Sequence, residues 1–200
     1  MNVKNRKAEQ SEATRNALIE AARRLFSERG YAGVSTEEIV QAAGVTRGAL
    51  YHQFRDKKDL FAEVVEYLEQ ELLQKIATTA LEESDPWAQQ LVAVGAFLDG
   101  CLDPAVQRVI LTDAPSVLGL HAWREVEARY GLALVRTGLQ SLIDAGLIEQ
   151  QPLEPLAHMM LGALQEGGLL IAHADDPVAA RREVGDGVVR ILRGLRVSDA

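Results

Sequence analysis

The stretch "GVTRGALYHQF", residues 44–54, decides how the rest of the chain is read. On a helical wheel at about 100° per residue, Leu50 and Phe54 point one way. Arg47, Gly48, Tyr51, His52 and Arg55 fall together on the opposite face. Just upstream, "STEEIVQAAG" sets Ser35 three residues before Glu38, a capping box, and then places Ile39, Val40 and Ala43 on one side. Gly44 suits the left-handed backbone that ends such a helix, and Thr46 can cap the next one. Two short helices joined at a glycine turn predict a helix-turn-helix, whose second helix can lie in the major groove of DNA. In that pose Gly48 lets the backbone approach the bases closely. Arg47 can pair with guanine O6 and N7, and Tyr51 and His52 can reach phosphates.

Working outward, the charge is unevenly distributed. Residues 1–60 hold 11 Lys/Arg against 8 Asp/Glu, a net +3 in a chain whose formal charge is −8, so the remainder carries −11. A basic end on an acidic body fits a polyanion partner for that end alone. With 48% hydrophobic residues the chain can build a substantial core. No apolar run reaches the roughly 18 residues of a membrane span, and "MNVKNRKAEQ" has no apolar stretch behind it to serve as a secretion signal. Cys101, the single cysteine, cannot form a disulfide within the chain, which points to a cytoplasmic protein with an inert, packed thiol.

Helical patterns run throughout. Leu18, Ala21, Ala22, Leu25 and Phe26 form one apolar stripe that stops at Gly30. Asp56 can cap a fourth helix bearing Leu60, Phe61, Val64, Val65, Leu68 and Leu72, reaching about Glu82 and roughly 40 Å long. Asp85-Pro86, Asp103-Pro104 and Asp176-Pro177 each place a capping Asp before a Pro at the first helical position, and Gln151-Pro152 is a weaker version. Further breaks are expected at Ala114-Pro115, Gly131 and Gly146. Alternating strand patterns are absent. The expected fold is all-α, with about nine or ten helices, divided into an N-terminal helix-turn-helix domain at residues 1–56 and a helical domain at 57–200.

Residues 14–61, "TRNALIEAARRLFSERGYAGVSTEEIVQAAGVTRGALYHQFRDKKDLF", resemble the DNA-binding domain of the tetracycline-repressor (TetR) family of bacterial transcription regulators. Gln53 departs from the pattern, where a second His often precedes the Phe. The resemblance implies that Thr36 and Thr46 contact phosphates, that Arg47 and Gly48 face bases, and that Tyr51 and His52 hold the DNA backbone. Lys57, at the head of the fourth helix, would meet a phosphate. Capping alone also accounts for Thr36 and Thr46, and packing at the edge of the small core for Tyr51. The resemblance further implies a homodimer paired through the last two long helices, about 152–173 and 177–195, and a body that binds a small-molecule effector. The sequence "PLEPLAHMMLGALQEGGLLIAHA" supports burial on more than one side, and Gly162, Ala163, Gly167 and Gly168 permit close helix contact. On the last helix, Val184, Val188, Ile191, Leu192 and Leu195 lie along one side. Polar or aromatic residues amid apolar helices nominate His121, Trp123, Tyr130, His158 and Glu166 for the effector pocket, although a packing role explains each as well. The four histidines and one cysteine lack metal-ligand spacing, and no cofactor or catalytic motif is found. The expected function is therefore a ligand-released repressor bound to palindromic operator DNA rather than an enzyme or a membrane protein. The alternative is a helical protein-interaction module that does not bind DNA.

Overall fold

In the computed structural model, which describes residues 3–197, the expected capping devices start the helices. Ser35 and Glu38 form the reciprocal capping box that opens α2 (Thr36–Ala42). Thr46 accepts from the Ala49 amide at the head of α3 (Arg47–Gln53), and Asp56 accepts from Asp59 at the head of α4 (Lys57–Ala80). Asp85 caps α5 (Pro86–Gly100) in the same way. Gly30 and Gly44 take φ of +71° and +66°, the left-handed conformation that ends the helices before them.

Helix α1 (Val3–Arg29) is longer than its apolar stripe, because the mostly polar residues between Val3 and Leu18 continue the same helix. Polar side chains do not oppose a helix. They only withhold the periodicity by which one is recognised. The extension meets the recognition helix, since Gln53 Nε2 donates to Ser11 Oγ at 2.8 Å and to the Ser11 carbonyl at 3.2 Å.

Beyond α5, two expected breaks prove to be continuous. A π-helical segment, Val106–Asp113, runs directly into α6 (Ala114–Leu118), and a second, Ala128–Leu132, joins α7 (Leu120–Glu127) to α8 (Ala133–Asp144). Pro115 has no N–H to donate. The backbone before it is wound wider, with the Ala114 amide reaching back five residues to the Val109 carbonyl and Thr112 Oγ1 donating to Gln107. Gly131 lies inside the second segment. The actual break is Gly119, at φ +88°. Asp176 caps α10 (Pro177–Gly194), whereas α9 (Leu153–Ala172) begins at Pro152 with no side-chain cap. Among the described residues no strand forms; Ile148 and Arg196 make an isolated bridge.

Helix α4 joins the two ends of the molecule. Its 24 residues span roughly 36 Å. Near its start Phe61 packs edge-on against Phe26 at 5.2 Å and Tyr31 at 5.0 Å, within the small core shared with Leu18, Ile39, Leu50 and Phe54. Further along, Leu72 and Ile76 join the body core with Leu98, Leu139, Leu142, Ile171 and Leu192. A second junction is polar, with the Tyr31 amide donating to Asp113 Oδ2 at 2.7 Å.

Candidate DNA-binding surface and effector cavity

Helix α3 buries Leu50, and Phe54 behind it is buried too, so the orientation of the helix is fixed by two apolar anchors. Thr46, Arg47, Gly48, Tyr51 and His52 are all exposed on its other side, Tyr51 by 45%. Gly48 is unconstrained by its own chain. Its φ is not positive, and an added Cβ would meet only Thr46 Oγ1, at 3.9 Å. Thr36 is half-buried at the head of α2, where its hydroxyl donates to Glu37 Oε2 at 3.1 Å.

Two cations on this surface are already engaged. Arg47 Nη1 pairs with Glu37 Oε1 at 2.6 Å, and its guanidinium lies 5.6 Å from the Tyr51 ring. Hydrogen bonds from its own amide and from Thr36, with the Arg47 charge beside it, hold the Glu37 carboxyl below the usual carboxylate range. Lys57 is half-buried rather than free at the head of α4. Its Nζ donates to the carbonyls of Tyr31 and Val34, each at 2.8 Å, and sits 3.9 Å from the Tyr31 ring. Burial lowers its pKa. Lys57 thus fastens the α1–α2 loop, a role that its spacing from Phe54 does not reveal.

The body contains a cavity of about 360 Å³ between α4, α5, the two π-helical segments, α8 and α9. Leu72, Leu73, Ile76, Phe97, Leu134 and Leu164 form much of its apolar wall, with Gln89, Gln90, Thr137, Ser141 and Gln165 adding neutral polar groups. Glu69 also lines it, and burial pushes this carboxyl up to about 7.

None of the five residues nominated from sequence lines this cavity. His121 and His158 are exposed and lie 3.5 and 3.6 Å from Glu125 and Glu154 on their own helices. Glu166 is exposed on α9, one position from the cavity-lining Gln165. The Tyr130 hydroxyl donates to Glu66 and accepts from Gln70 on the outer side of α4. Trp123 is half-buried, and its indole Nε1 is enclosed without a partner among the described residues. Chemical type selected these residues, but helix packing decides which ones turn inward. Glu69 was legible in one respect: Val65, Glu69, Leu72 and Ile76 recur at core spacing on α4, with an acid at an apolar position. Cys101 is buried beside it, and its thiol is pushed up to about 12 by burial and the Glu69 charge. It is an inert packing group.

A helix-turn-helix displayed by a helix that also walls a ligand-sized cavity defines a one-component regulator, able to join DNA binding to a chemical signal. Comparison with known proteins names the class. Residues 18–64 match the model for bacterial regulatory proteins of the tetR family, and residues 87–195 match a tetracyclin repressor-like C-terminal domain. The transposon Tn10 TetC protein of Escherichia coli is 30% identical over 163 residues, covering 81% of this chain and 82% of that protein. The transcriptional regulator AcrR of Shigella flexneri is 48% identical over 61 residues, 30% of this chain and 28% of its own. A crystal structure of a TetR-family transcriptional regulator from Pectobacterium atrosepticum superposes with a TM-score of 0.85 at 33% identity, covering 96% and 98% of the two chains. The chain belongs to the tetracycline-repressor family and is a DNA-binding transcriptional regulator. Members of this family bind operator DNA and form dimers. Among the described residues no helix is long and apolar enough to cross a membrane.

Proposed function

We propose that the protein is a cytoplasmic, homodimeric repressor that holds a palindromic operator and releases it when a small, mainly apolar molecule enters the body cavity. The observation that carries this reading is the outward face of α3, where Gly48 is bare for no internal reason beside the exposed Arg47, Tyr51 and His52. A face left open by its own chain suits an external partner that fits closely against it. Arg47 would read a base, Gly48 would admit the DNA backbone, and Thr36, Thr46, Tyr51 and His52 would hold phosphates. Lys57 would combine its loop-fastening role with a phosphate contact. The domains would divide near residue 56, with α4 belonging to both.

Dimerisation through α9 and α10 rests on a revised set of residues. Gly167 is buried within the chain, where an added Cβ would come within 2.6 Å of Val184 on α10, and Val188 and Leu192 are buried as well. The surface left for a partner carries Met159, Gly162 and Leu170 on α9 and Gly187 and Ile191 on α10. Met159 is 65% exposed and Ile191 51% exposed, while both glycines meet nothing within 4 Å. Such exposed apolar and small residues suit a four-helix contact between two copies.

A gel-shift against the DNA flanking the protein's own gene tests the reading. Saturable binding to one segment that survives excess random competitor, protected over two half-sites about one helical turn (roughly 34 Å) or a multiple apart, is expected. Equal affinity for flanking and random DNA would overturn it.

A further inference from the structure

We propose that Glu69 makes the body cavity a receptor for an organic cation, an amphiphile carrying one positively charged nitrogen on an apolar frame. This inference rests on the effector-cavity reading above and names the chemistry of its ligand. Among the described residues lining the cavity, Glu69 is the one ionisable side chain; the other polar groups there are amides and hydroxyls, and no Lys or Arg is present. Its side chain makes no hydrogen bond or ion pair with any described residue, although it is buried within the fold. A buried carboxylate without a counter-ion is costly, and replacing it by an apolar residue would ordinarily stabilise the core. A cationic ligand supplies the missing counter-ion, while an anionic ligand would meet an uncompensated like charge. Phe97 also lines the cavity, and an aromatic ring is a favourable neighbour for a cation. About 360 Å³ suits a small ligand.

Protonation follows from the same geometry. Burial alone holds the Glu69 carboxyl near 7, so a cation must displace its proton at lower pH. Among the described residues lining the cavity, the surrounding elements add no competing charge. Gln89 and Gln90 face the cavity from α5, Val106 and Ile110 from the first π-helical segment, Gly131 from the second (whose Arg129 pairs with Glu66 at 3.2 Å), Thr137 from α8 and Gln165 from α9. The titratable neighbour is the Cys101 thiol, which remains neutral because it is pushed up to about 12. Cation affinity should therefore rise with pH through about 7 and then level off.

Calorimetry on the full-length protein with decyltrimethylammonium, decanol and decanoate, each below its micelle concentration, tests the proposal. The ammonium charge does not titrate, so any pH dependence of its binding reports on the protein. The cation should bind more tightly than decanol above pH 7, decanoate should bind worst, and cation affinity should fall by up to about tenfold per pH unit below 7. Glu69→Gln should remove both the cation preference and the pH dependence while leaving decanol binding unchanged, which shows the cavity intact. Unaltered cation affinity in Glu69→Gln, tighter binding of decanoate, or no binding of the cation by the wild type would each overturn the proposal. Operator affinity of unliganded Glu69→Gln is measured alongside. If operator binding persists while cation binding fails, the ligand assignment falls and the regulator reading stands. If the wild type lacks specific operator binding, the regulator reading fails separately.

Discussion

In the proposed complex Arg47 would come to DNA with a partner already attached. Its pairing with Glu37 at 2.6 Å is exposed to solvent, so it is readily exchanged, but it would still compete with guanine for the same donors. Glu37→Gln should raise DNA affinity by freeing the guanidinium and removing a negative charge from the surface; fluorescence anisotropy with a labelled operator would read the gain, and a loss would mean that Glu37 serves to aim Arg47. Arg47→Ala should cost about 1–3 kcal/mol and relax base preference at one position of each half-site. Equal losses on specific and random DNA would show that Arg47 is not a base reader. Lys57→Ala should weaken all sequences alike and flatten the salt dependence, and it should also lower thermal stability because the carbonyls of Tyr31 and Val34 lose their donor. Glu69 adds a pH signature. Its folded pKa, about 7, lies above the ordinary carboxyl value of 4.5, so its stability contribution is complete below about pH 4.5 and is lost as pH rises through 7. The penalty at alkaline pH is on the order of 3 kcal/mol. Thermal melts should show Glu69→Gln gaining stability relative to wild type as pH increases from about 5.5 to 8, and parallel melting curves would contradict the buried-carboxyl account.

At the scale of elements, helix starts were legible and helix faces much less so. Ser35, Thr46, Asp56, Asp85 and Asp176 all cap where the sequence places them, because a cap is an interaction between residues two or three positions apart. The exposed face of α3 was legible for the same reason, since one short helix carries Arg47, Gly48, Tyr51 and His52. The cavity is different, being assembled from six elements whose mutual rotation is set by packing alone. That is why Trp123, Tyr130 and the histidines attracted attention while Gln89, Gln90 and Thr137 did not. Gly167 shows the same limit: glycine on an apolar helix signals close approach, but not to which helix. Gly167→Leu should accordingly destabilise the monomer's own α9–α10 packing, by about 1–3 kcal/mol for overpacking. Ile191→Glu should instead leave the fold intact and dissociate the dimer, as read by sedimentation velocity at micromolar concentration. A monomeric wild type would remove α9 and α10 from the interface.

Across the whole molecule, the cavity and the DNA-binding end share two elements. Helix α4 lines the cavity from Glu69 to Ala80 and carries Lys57 at its head. The first π-helical segment presents Val106, Ile110 and Leu111 to the cavity and ends at Asp113, which holds the Tyr31 amide. A ligand can shift operator affinity only by its preference for one arrangement of these elements, and about 1–3 kcal/mol is typical of such coupling. Asp113→Ala should leave the cavity able to bind its ligand yet reduce the loss of operator affinity that the ligand causes. Calorimetry with and without operator measures that coupling directly, and an undiminished coupling in the variant would assign all of it to α4.

The Tyr31 loop has a consequence for how the protein meets its surroundings. Its backbone is gripped from the body by a carboxylate and from α4 by an ammonium, through short, part-buried hydrogen bonds to neutral peptide groups. Mobile ions screen exposed phosphate contacts within about 8–10 Å at physiological ionic strength, but they act far less on such enclosed bonds. Ionic strength therefore has one handle on this regulator: it weakens the grip on the operator from outside and leaves the seam between reader and sensor closed. A change in osmotic conditions would then alter how tightly the operator is held while the chemical signal is still transmitted.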